Sequence, residues 1–503
     1  MTASTRLAEW DPGALVLKRR TLYFLLSSLS GSVLWLLWST AEQRLIVAPI
    51  VAAANVVVWV WVALWNRDRV FPLFDLGGVC LAFSALYSLM PFLTYLLAGM
   101  RYGLLSDPRL RIYAASPKEY EAFAWRYVVY LVSFGTAYVL IRGRASIRSG
   151  NVQLPDRQTV VALLAMALVF SGILHSFEML YGLDFAVSYD SALSDAYSAF
   201  QRLPLIARQA LPKIYSSIFI LKLGLLTILI ASWRRRRWRY VVYGWLCVAT
   251  IGYLFEMGAR TELMLLFLST ALLYHRLVRP LKPAAVLTGG ALLFVALLGF
   301  GLMRGGSSLG ENIGNLQMVL SHDSGELVTA SSEFETLFAG TYDLYRMKQA
   351  GLIEGVPWQI YTTEILMLIP QQILPFEKVD VQEWYLERSG HPSYFMYGPV
   401  AQAILGLDWI ELVLRGSLLA WLLARIHRWY ARHAGSFWGT LFYVWLMVWS
   451  YYTIRSSTLY FLAFILYQYI PTIFFLYMIR ELLRVTHWRG RRVSQLTSHP
   501  VRG

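Results

Sequence analysis

Charged residues and cysteines are both scarce in this sequence. Only 15% of its 503 residues are charged, whereas 57% are hydrophobic. A soluble domain of this size would need more charged residues to cover its surface, so the composition indicates a polytopic membrane protein. The only two cysteines, Cys80 and Cys247, both fall inside apolar runs. This placement excludes a disulfide framework and predicts that both are small core residues.

The sequence also lacks the patterns that hold metals or bind nucleic acids. It has no paired histidines at helical spacing, no set of cysteine ligands and no calcium-loop pattern, so we expect no metal and no cofactor. The formal net charge of +15 comes from short basic tracts between apolar segments. A soluble nucleic-acid-binding protein would gather its charge on one patch, and we therefore expect no nucleic acid partner.

Long apolar segments define the predicted fold. A spanning helix needs about 20 mostly apolar residues, and the chain predicts an all-α polytopic membrane protein with about 12 transmembrane helices. The predicted spans are residues 21–39, 44–65, 75–99, 124–141, 158–177, 213–232, 240–257, 261–275, 283–303, 398–424, 437–453 and 458–479. The tenth contains "GLDWIE", which predicts either one tilted helix or two half-helices.

The basic tracts predict the orientation of these spans. If the N-terminus is cytoplasmic, every strongly basic short connection falls on the cytoplasmic side, where such loops are normally retained. The tracts are "LKRR", "NRDR", "RGRASIRSG", "WRRRRWR", "HRLVRPLK", "RIHRWYARH" and "RELLRVTHWRGRR". Both termini are then cytoplasmic.

This topology divides the chain into four regions. They are an N-terminal transmembrane bundle of about nine spans (residues 1–303), a large periplasmic loop with short helices (304–397), C-terminal transmembrane helices (398–480) and a basic cytoplasmic tail (481–503). From Arg304 to Phe395, twelve Asp or Glu outnumber five Lys or Arg, a local charge of −7. In this loop "WQIYTTEILMLIPQQILPF" predicts a short helix parallel to the membrane, ended by Pro370 and Pro375.

Three isolated arginines lie at or beside the predicted outer ends of spans. They are Arg260, Arg304 and Arg455. Each taken alone could close a helix end or reach a lipid headgroup. Together they favour a shared anion site, because guanidinium groups suit bidentate recognition of phosphate or carboxylate. Secondary candidates in the acidic loop are Arg346, Arg388 and Tyr342.

The acidic loop also supplies candidate proton acceptors. A carboxylate or an imidazole held near a hydroxyl group can take its proton when that hydroxyl acts as a nucleophile. Each such group taken singly is more often a solvated loop charge. We rank Glu333 and His391 first as candidate catalytic bases.

Five patches of the sequence occur in a recognisable order. They are "GAR", "SSEFETL", "LIPQQILPFEK", "YGPVAQAILGLDWIELVLRG" and "RSSTLYFL". This order resembles the oligosaccharide repeat unit polymerases, the Wzy-type O-antigen polymerase family. The resemblance covers roughly residues 70–480 by arrangement and is specific only in these patches.

The resemblance implies a glycosyltransferase of the bacterial inner membrane with a GT-C-like architecture and its active site facing the periplasm. Such an enzyme polymerises repeat units linked to undecaprenyl diphosphate, which serve as donor and acceptor. Membrane lipids and a chain-length regulator protein are its further partners. On the same basis Arg260 matches the arginine of the family's Gly-x-Arg turn, Glu333 the acid of its "EF" patch and Arg455 the arginine that begins the last outer turn.

The first outer loop departs from a related group of enzymes. Many metal-dependent lipid-phosphate-sugar transferases of this architecture carry paired acids in that loop, whereas "AEQR" holds the single acid Glu42. This difference favours a metal-independent reaction in which the arginines bind the diphosphate leaving group.

Three other functions are compatible with a chain of this kind. An O-antigen ligase would use the same donor but transfer the glycan to lipid A core. A flippase or transporter of lipid-linked oligosaccharides would commonly show internal repeats, and none is visible. A structural scaffold would leave the three outer arginines without a role.

Overall fold

The computed structural model describes most of the predicted helical core. The described residues are 19–68, 72–98, 117–143, 152–181, 205–233, 238–243, 245, 260–282, 284–292, 333–353, 356–370, 373–379, 381, 384–385 and 397–497. Within these ranges the chain is helical and contains no β-strand beyond an isolated bridge between Gln153 and Ser436. The predicted all-α class is therefore confirmed for this part of the chain.

The helices follow the apolar segments of the sequence. In chain order they are α1 (Arg19–Trp38), α2 (Ala41–Asp68), α3 (Leu76–Ala98), α4 (Pro117–Arg142), α5 (Arg157–Tyr181), α6 (Leu205–Ala231), α7 (Arg260–Leu277), α8 (Glu333–Gln349), α9 (Trp358–Leu366), α10 (Pro399–Leu405), α11 (Trp409–His433), α12 (Phe437–Trp449), α13 (Tyr452–Arg455), α14 (Tyr460–Phe464) and α15 (Ile470–Thr497). A π-helical turn, Ile465–Tyr469, joins α14 to α15.

Several of these helices are suited to a bilayer. Five segments are long and apolar enough to cross a membrane: Arg44–Arg67, Glu121–Arg142, Arg157–Phe177, Lys213–Ala231 and Tyr460–Val485. Shorter apolar helices are Leu25–Trp38, Leu76–Leu89 and Phe437–Trp449. These findings support a membrane protein. The predicted spans 240–257 and 283–303 lie largely outside the described residues.

Helices α4 and α11 pack side by side and run in the same direction. Near the start of α4, Arg126 forms an ion pair with Asp408, the residue before α11. At the other end Arg142, the last residue of α4, pairs with Asp75, which also lies near His427 of α11. We call these two ends of the bundle the Asp408 end and the Asp75 end.

A glycine allows the close approach of α4 and α11. A Cβ atom added to Gly416 would lie 2.9 Å from the carbonyl oxygen of Tyr130 and 3.0 Å from the backbone nitrogen of Phe134. Both neighbours belong to the rigid backbone of α4. Small residues at such crossings let helix backbones pack directly against each other, as is common in membranes.

A buried polar network holds the Asp75 end together. Asp75 accepts hydrogen bonds from the Tyr138 hydroxyl at 2.7 Å and from Nε of Arg142 at 2.7 Å. Nδ1 of His427 lies 2.7 Å from the hydroxyl oxygen of Tyr443, on α12. The Asp75, Arg142 and His427 side chains are all buried. Because its charges are paired and enclosed, this network joins the helices of the Asp75 end.

Gly416 provides a test of the α4–α11 packing. Replacing it with alanine should lower the free energy of unfolding by roughly 1–3 kcal/mol, because the backbone of α4 must move to admit a methyl group. The matched control is Gly172→Ala in α5, where nothing lies within 4 Å of the added carbon. That change should be neutral or should stabilise the protein by up to about 1 kcal/mol through helix propensity. Thermal unfolding of both variants in detergent measures the difference, and equal stabilities would contradict the proposed packing.

Candidate functional site

The predicted tenth span is two helices and not one. Helix α10 ends at Leu405 and α11 begins at Trp409. Between them Asp408 has a φ of 53° and a ψ of −113°, a positive-φ conformation that residues other than glycine rarely adopt. A Cβ atom on Gly406 would fall 1.8 Å from a carboxylate oxygen of Glu411, so a larger residue there would require the Glu411 side chain to move. The letters "GLD" of the sequence thus encode the interruption.

Side chains from the long connection satisfy the carbonyl groups that this interruption leaves free. Lys348 of α8 donates to the carbonyl oxygens of Ile404 and Gly406. The Tyr361 hydroxyl of α9 donates to the Leu405 carbonyl at 3.2 Å. Irregular backbone at membrane depth requires such partners. The connection therefore packs onto the bundle and completes the broken helix.

Arg415 is the centre of the polar cluster at the Asp408 end. Its Nε donates to Glu411 at 2.7 Å, and one terminal nitrogen donates to Gln402 at 2.8 Å and to Glu364. Glu364 also accepts the backbone N–H of Thr458 at 3.0 Å. Only 7% of Arg415 and 9% of Glu364 are exposed. One guanidinium group thus joins α9, α10, α11 and the turn before α14.

The charge of this cluster defines what it can do. Arg415 is paired with two carboxylates, those of Glu364 and Glu411, so the three groups together carry one negative charge. A negatively charged cluster would repel a phosphate group. Arg415 is therefore a positioning residue that fixes neighbouring elements, and the cluster does not favour an anion.

A second buried arginine closes the same end. Arg126 donates two hydrogen bonds to the Asp408 carboxylate, at 2.8 and 2.6 Å. Its guanidinium carbon lies 4.5 Å from the ring centre of Tyr345 and 4.6 Å from that of Trp409. This bidentate pair between two aromatic rings holds α4, α8 and α11 together.

Arg455 lies where three elements converge. It is half-buried at the end of α13, with its guanidinium carbon 5.5 Å from the ring centre of Tyr452. A Cβ atom added to Gly398, just before α10, would lie 2.1 Å from the Ile454 carbonyl oxygen and 3.3 Å from a methyl carbon of Leu337. The Arg455 turn, the start of α10 and the early part of α8 therefore pack against one another.

This convergence brings together the elements that carry two predicted site residues. Glu333 is the first residue of α8, about one helical turn before Leu337. Arg455 follows Ile454 in the turn. The side chain of Glu333 lies outside the described residues, so the structure places its backbone position only.

The other predicted site residues have different outcomes. Arg346 is half-buried on α8, and its guanidinium group makes no hydrogen bond or ion pair with the residues that the structure describes. Tyr342 is 0% exposed and packs against Phe123 and Phe338. Its position favours a packing role over the predicted contact with substrate. Arg260 begins α7.

Part of the predicted site falls outside the described residues. This applies to Arg304, Arg388 and His391 entirely, and to the side chain of Arg260. Among the residues that are described, no three His, Cys, Asp or Glu side chains form a group that could hold a metal ion. Metal independence stays a prediction, because much of the acidic loop is outside these residues.

Five polar residues of this end were not predicted from the sequence. They are Arg126, Glu364, Asp408, Glu411 and Arg415. One signal could have revealed part of the set, because Glu411 and Arg415 lie four residues apart inside a predicted span, a spacing that pairs side chains on one helix face. Charges at membrane depth are functional or structural candidates by default.

Comparisons of the chain with models of known protein families, with curated proteins and with solved structures find no match.

The ion pairs of Arg415 can be tested by the effect of substitutions on the free energy of unfolding. Arg415→Met should cost roughly 3–5 kcal/mol of unfolding free energy, because it leaves the buried Glu364 and the partly buried Glu411 without a cation. Adding Glu364→Gln to that variant should recover part of the loss, since it removes one of the unpaired charges. The control is Arg425→Met, at an exposed position of the same helix, which should change stability by less than about 0.5 kcal/mol. Thermal unfolding in detergent measures all three, and a double variant less stable than Arg415→Met would contradict the charge argument.

Proposed function

We propose that this chain is an inner-membrane glycosyltransferase that polymerises oligosaccharide repeat units linked to undecaprenyl diphosphate. In the proposed reaction the acceptor hydroxyl attacks the anomeric carbon of the donor glycan. The bond from that carbon to the diphosphate oxygen breaks, and undecaprenyl diphosphate leaves with the electron pair. The proton of the acceptor hydroxyl passes to a base, for which Glu333 and His391 are the candidates. The proposed architecture is the twelve-span, GT-C-like arrangement.

The convergence at Arg455 carries this proposal. An arginine predicted from the sequence lies half-buried in a turn that packs against the first turns of α8, which begins at Glu333. The same bundle contains helices that are long and apolar enough to cross a membrane. A lipid diphosphate needs this combination, a cation at the rim of the bilayer and apolar surface below it.

Two half-buried arginines of the Asp408 end are candidates for the diphosphate contact. The Arg126 and Arg415 guanidinium groups lie in ion pairs with carboxylates. Arg455 lies in the turn beside Tyr452 and Arg346 lies on α8, and both are half-buried. Cations held in place before the reaction stabilise the charge that grows on a leaving diphosphate without reorganisation. We assign Arg455 to the diphosphate and Arg346 to a secondary contact.

The distribution of arginines supports a periplasmic Asp408 end. Helices α4, α7 and α11 all finish at the Asp75 end, where Arg276 of α7 reaches the Tyr430 hydroxyl and the Ala434 carbonyl. Basic residues follow or end each of these helices. Positive charge is retained on the cytoplasmic side, so the candidate site would face the periplasm.

An assay with purified protein and defined lipid-diphosphate repeat units tests the proposal. The wild-type protein should form products of increasing length, with the same yield in the presence of a chelator. A ladder of products supports a polymerase, whereas transfer to lipid A core alone would identify a ligase. Protein that moves the lipid-linked units across vesicles but forms no glycosidic bond would refute both enzymes.

Substitution of the two cations tests the site within the same assay. Arg455→Ala should lower the turnover rate about 100-fold or more, the usual effect of removing one group that stabilises transition-state charge. Arg346→Ala should have a smaller effect, and Arg455→Lys should retain part of the activity because the charge remains. Lys118→Ala, an exposed cation in the first turn of α4, is the matched control. Full activity of Arg455→Ala would refute the assignment of the diphosphate site.

A further inference from the structure

One face of α11 carries apolar side chains that the described residues leave exposed. Ile410, Leu414, Leu418 and Trp421 are 63, 58, 40 and 44% exposed. They are three or four residues apart and therefore form one stripe. The buried residues of α11, such as Leu419 and Leu423, lie on other faces of the helix. The stripe thus points away from the core.

A basic cleft continues the same stripe toward the Asp75 end. Arg425, Arg428, Trp429 and Arg432 line a cavity of about 310 Å³. These residues follow Trp421 at helical spacing, so the apolar stripe leads directly into the cleft. One face of a single helix therefore changes from apolar to cationic at the level of Trp421.

The positive charge of the cleft is not neutralised within the described structure. The Arg425 guanidinium carbon lies 5.7 Å from the ring centre of Trp421. The guanidinium groups of Arg428 and Arg432 make no ion pair or hydrogen bond with any residue that the structure describes. Three like charges along one helix face repel one another. An anion bound among them would remove this repulsion.

We infer that this surface binds an acidic phospholipid, with its phosphate in the cleft and an acyl chain along the stripe. The dimensions agree with this assignment. The twelve residues from Ile410 to Trp421 are separated by eleven steps of about 1.5 Å and so rise by about 16 Å, close to half of the roughly 30 Å hydrocarbon core of a bilayer. A free phosphate would use the cleft alone and leave the stripe without a function. Arginine and tryptophan are also the residues that mark the level of lipid headgroups.

Native mass spectrometry of the full chain in a neutral detergent provides the test, with phosphatidylglycerol and phosphatidylcholine as probes. The wild-type protein should bind phosphatidylglycerol more tightly. The double variant Arg428→Gln/Arg432→Gln should bind it about 30-fold more weakly, from the usual contribution of two basic residues near an anionic surface. The corresponding double lysine variant should stay within about threefold of the wild type, because it keeps both charges.

Control variants separate this site from general effects of charge and folding. Arg279→Gln removes another exposed arginine, 5.8 Å from the Tyr274 ring, and should leave binding unchanged. Leu414→Gln should weaken binding of phosphatidylglycerol but not of glycerol 3-phosphate. All variants should elute and unfold as the wild type does.

Three results would overturn the inference. These are equal binding of the two phospholipids, unchanged binding by the double glutamine variant, and glycerol 3-phosphate binding as tight as that of phosphatidylglycerol. The last result would indicate a site for a free phosphate group.

Discussion

The pairing of Arg415 with two carboxylates is the interaction on which the Asp408 end depends. A buried guanidinium group is costly unless carboxylates and hydrogen-bond acceptors surround it. Those acceptors come from α9, α10 and α11. Glu364 also accepts a hydrogen bond from the backbone N–H of Thr458, which follows Arg455. The Arg415 cluster therefore sets the position of the turn that follows Arg455.

The two ends of the bundle use similar residues for different purposes. At the Asp75 end an arginine, an aspartate and a histidine are enclosed within the core and join helices. At the Asp408 end the helix is interrupted between α10 and α11, and side chains from α8 and α9 donate hydrogen bonds to the carbonyl groups that this interruption leaves free. Such breaks in spanning helices are stable only where protein covers them. They also place backbone and charge at a depth that an unbroken helix would leave apolar.

The sequence predicted local features of the fold better than it predicted the site. Apolar length and helix breakers such as Gly406 predict helices and their interruption, because both act over a few residues. It also singled out Arg455, which is isolated in an apolar context. It did not predict that Glu364 would pair with Arg415, 51 residues away. Partners so distant are chosen by tertiary packing, which leaves no pattern in a single sequence.

The parallel packing of α4 and α11 has a consequence for biosynthesis. Arg142 and Asp75 are 67 residues apart in the sequence, whereas Arg126 and Asp408 are 282 residues apart. During translation the ion pair between Arg142 and Asp75 can form as soon as α4 has been made. The ion pair between Arg126 and Asp408 requires the residue that precedes α11, which is made much later. Until then Arg126 must stay hydrated or pair with another group, so the Asp408 end would be the last part of the molecule to mature.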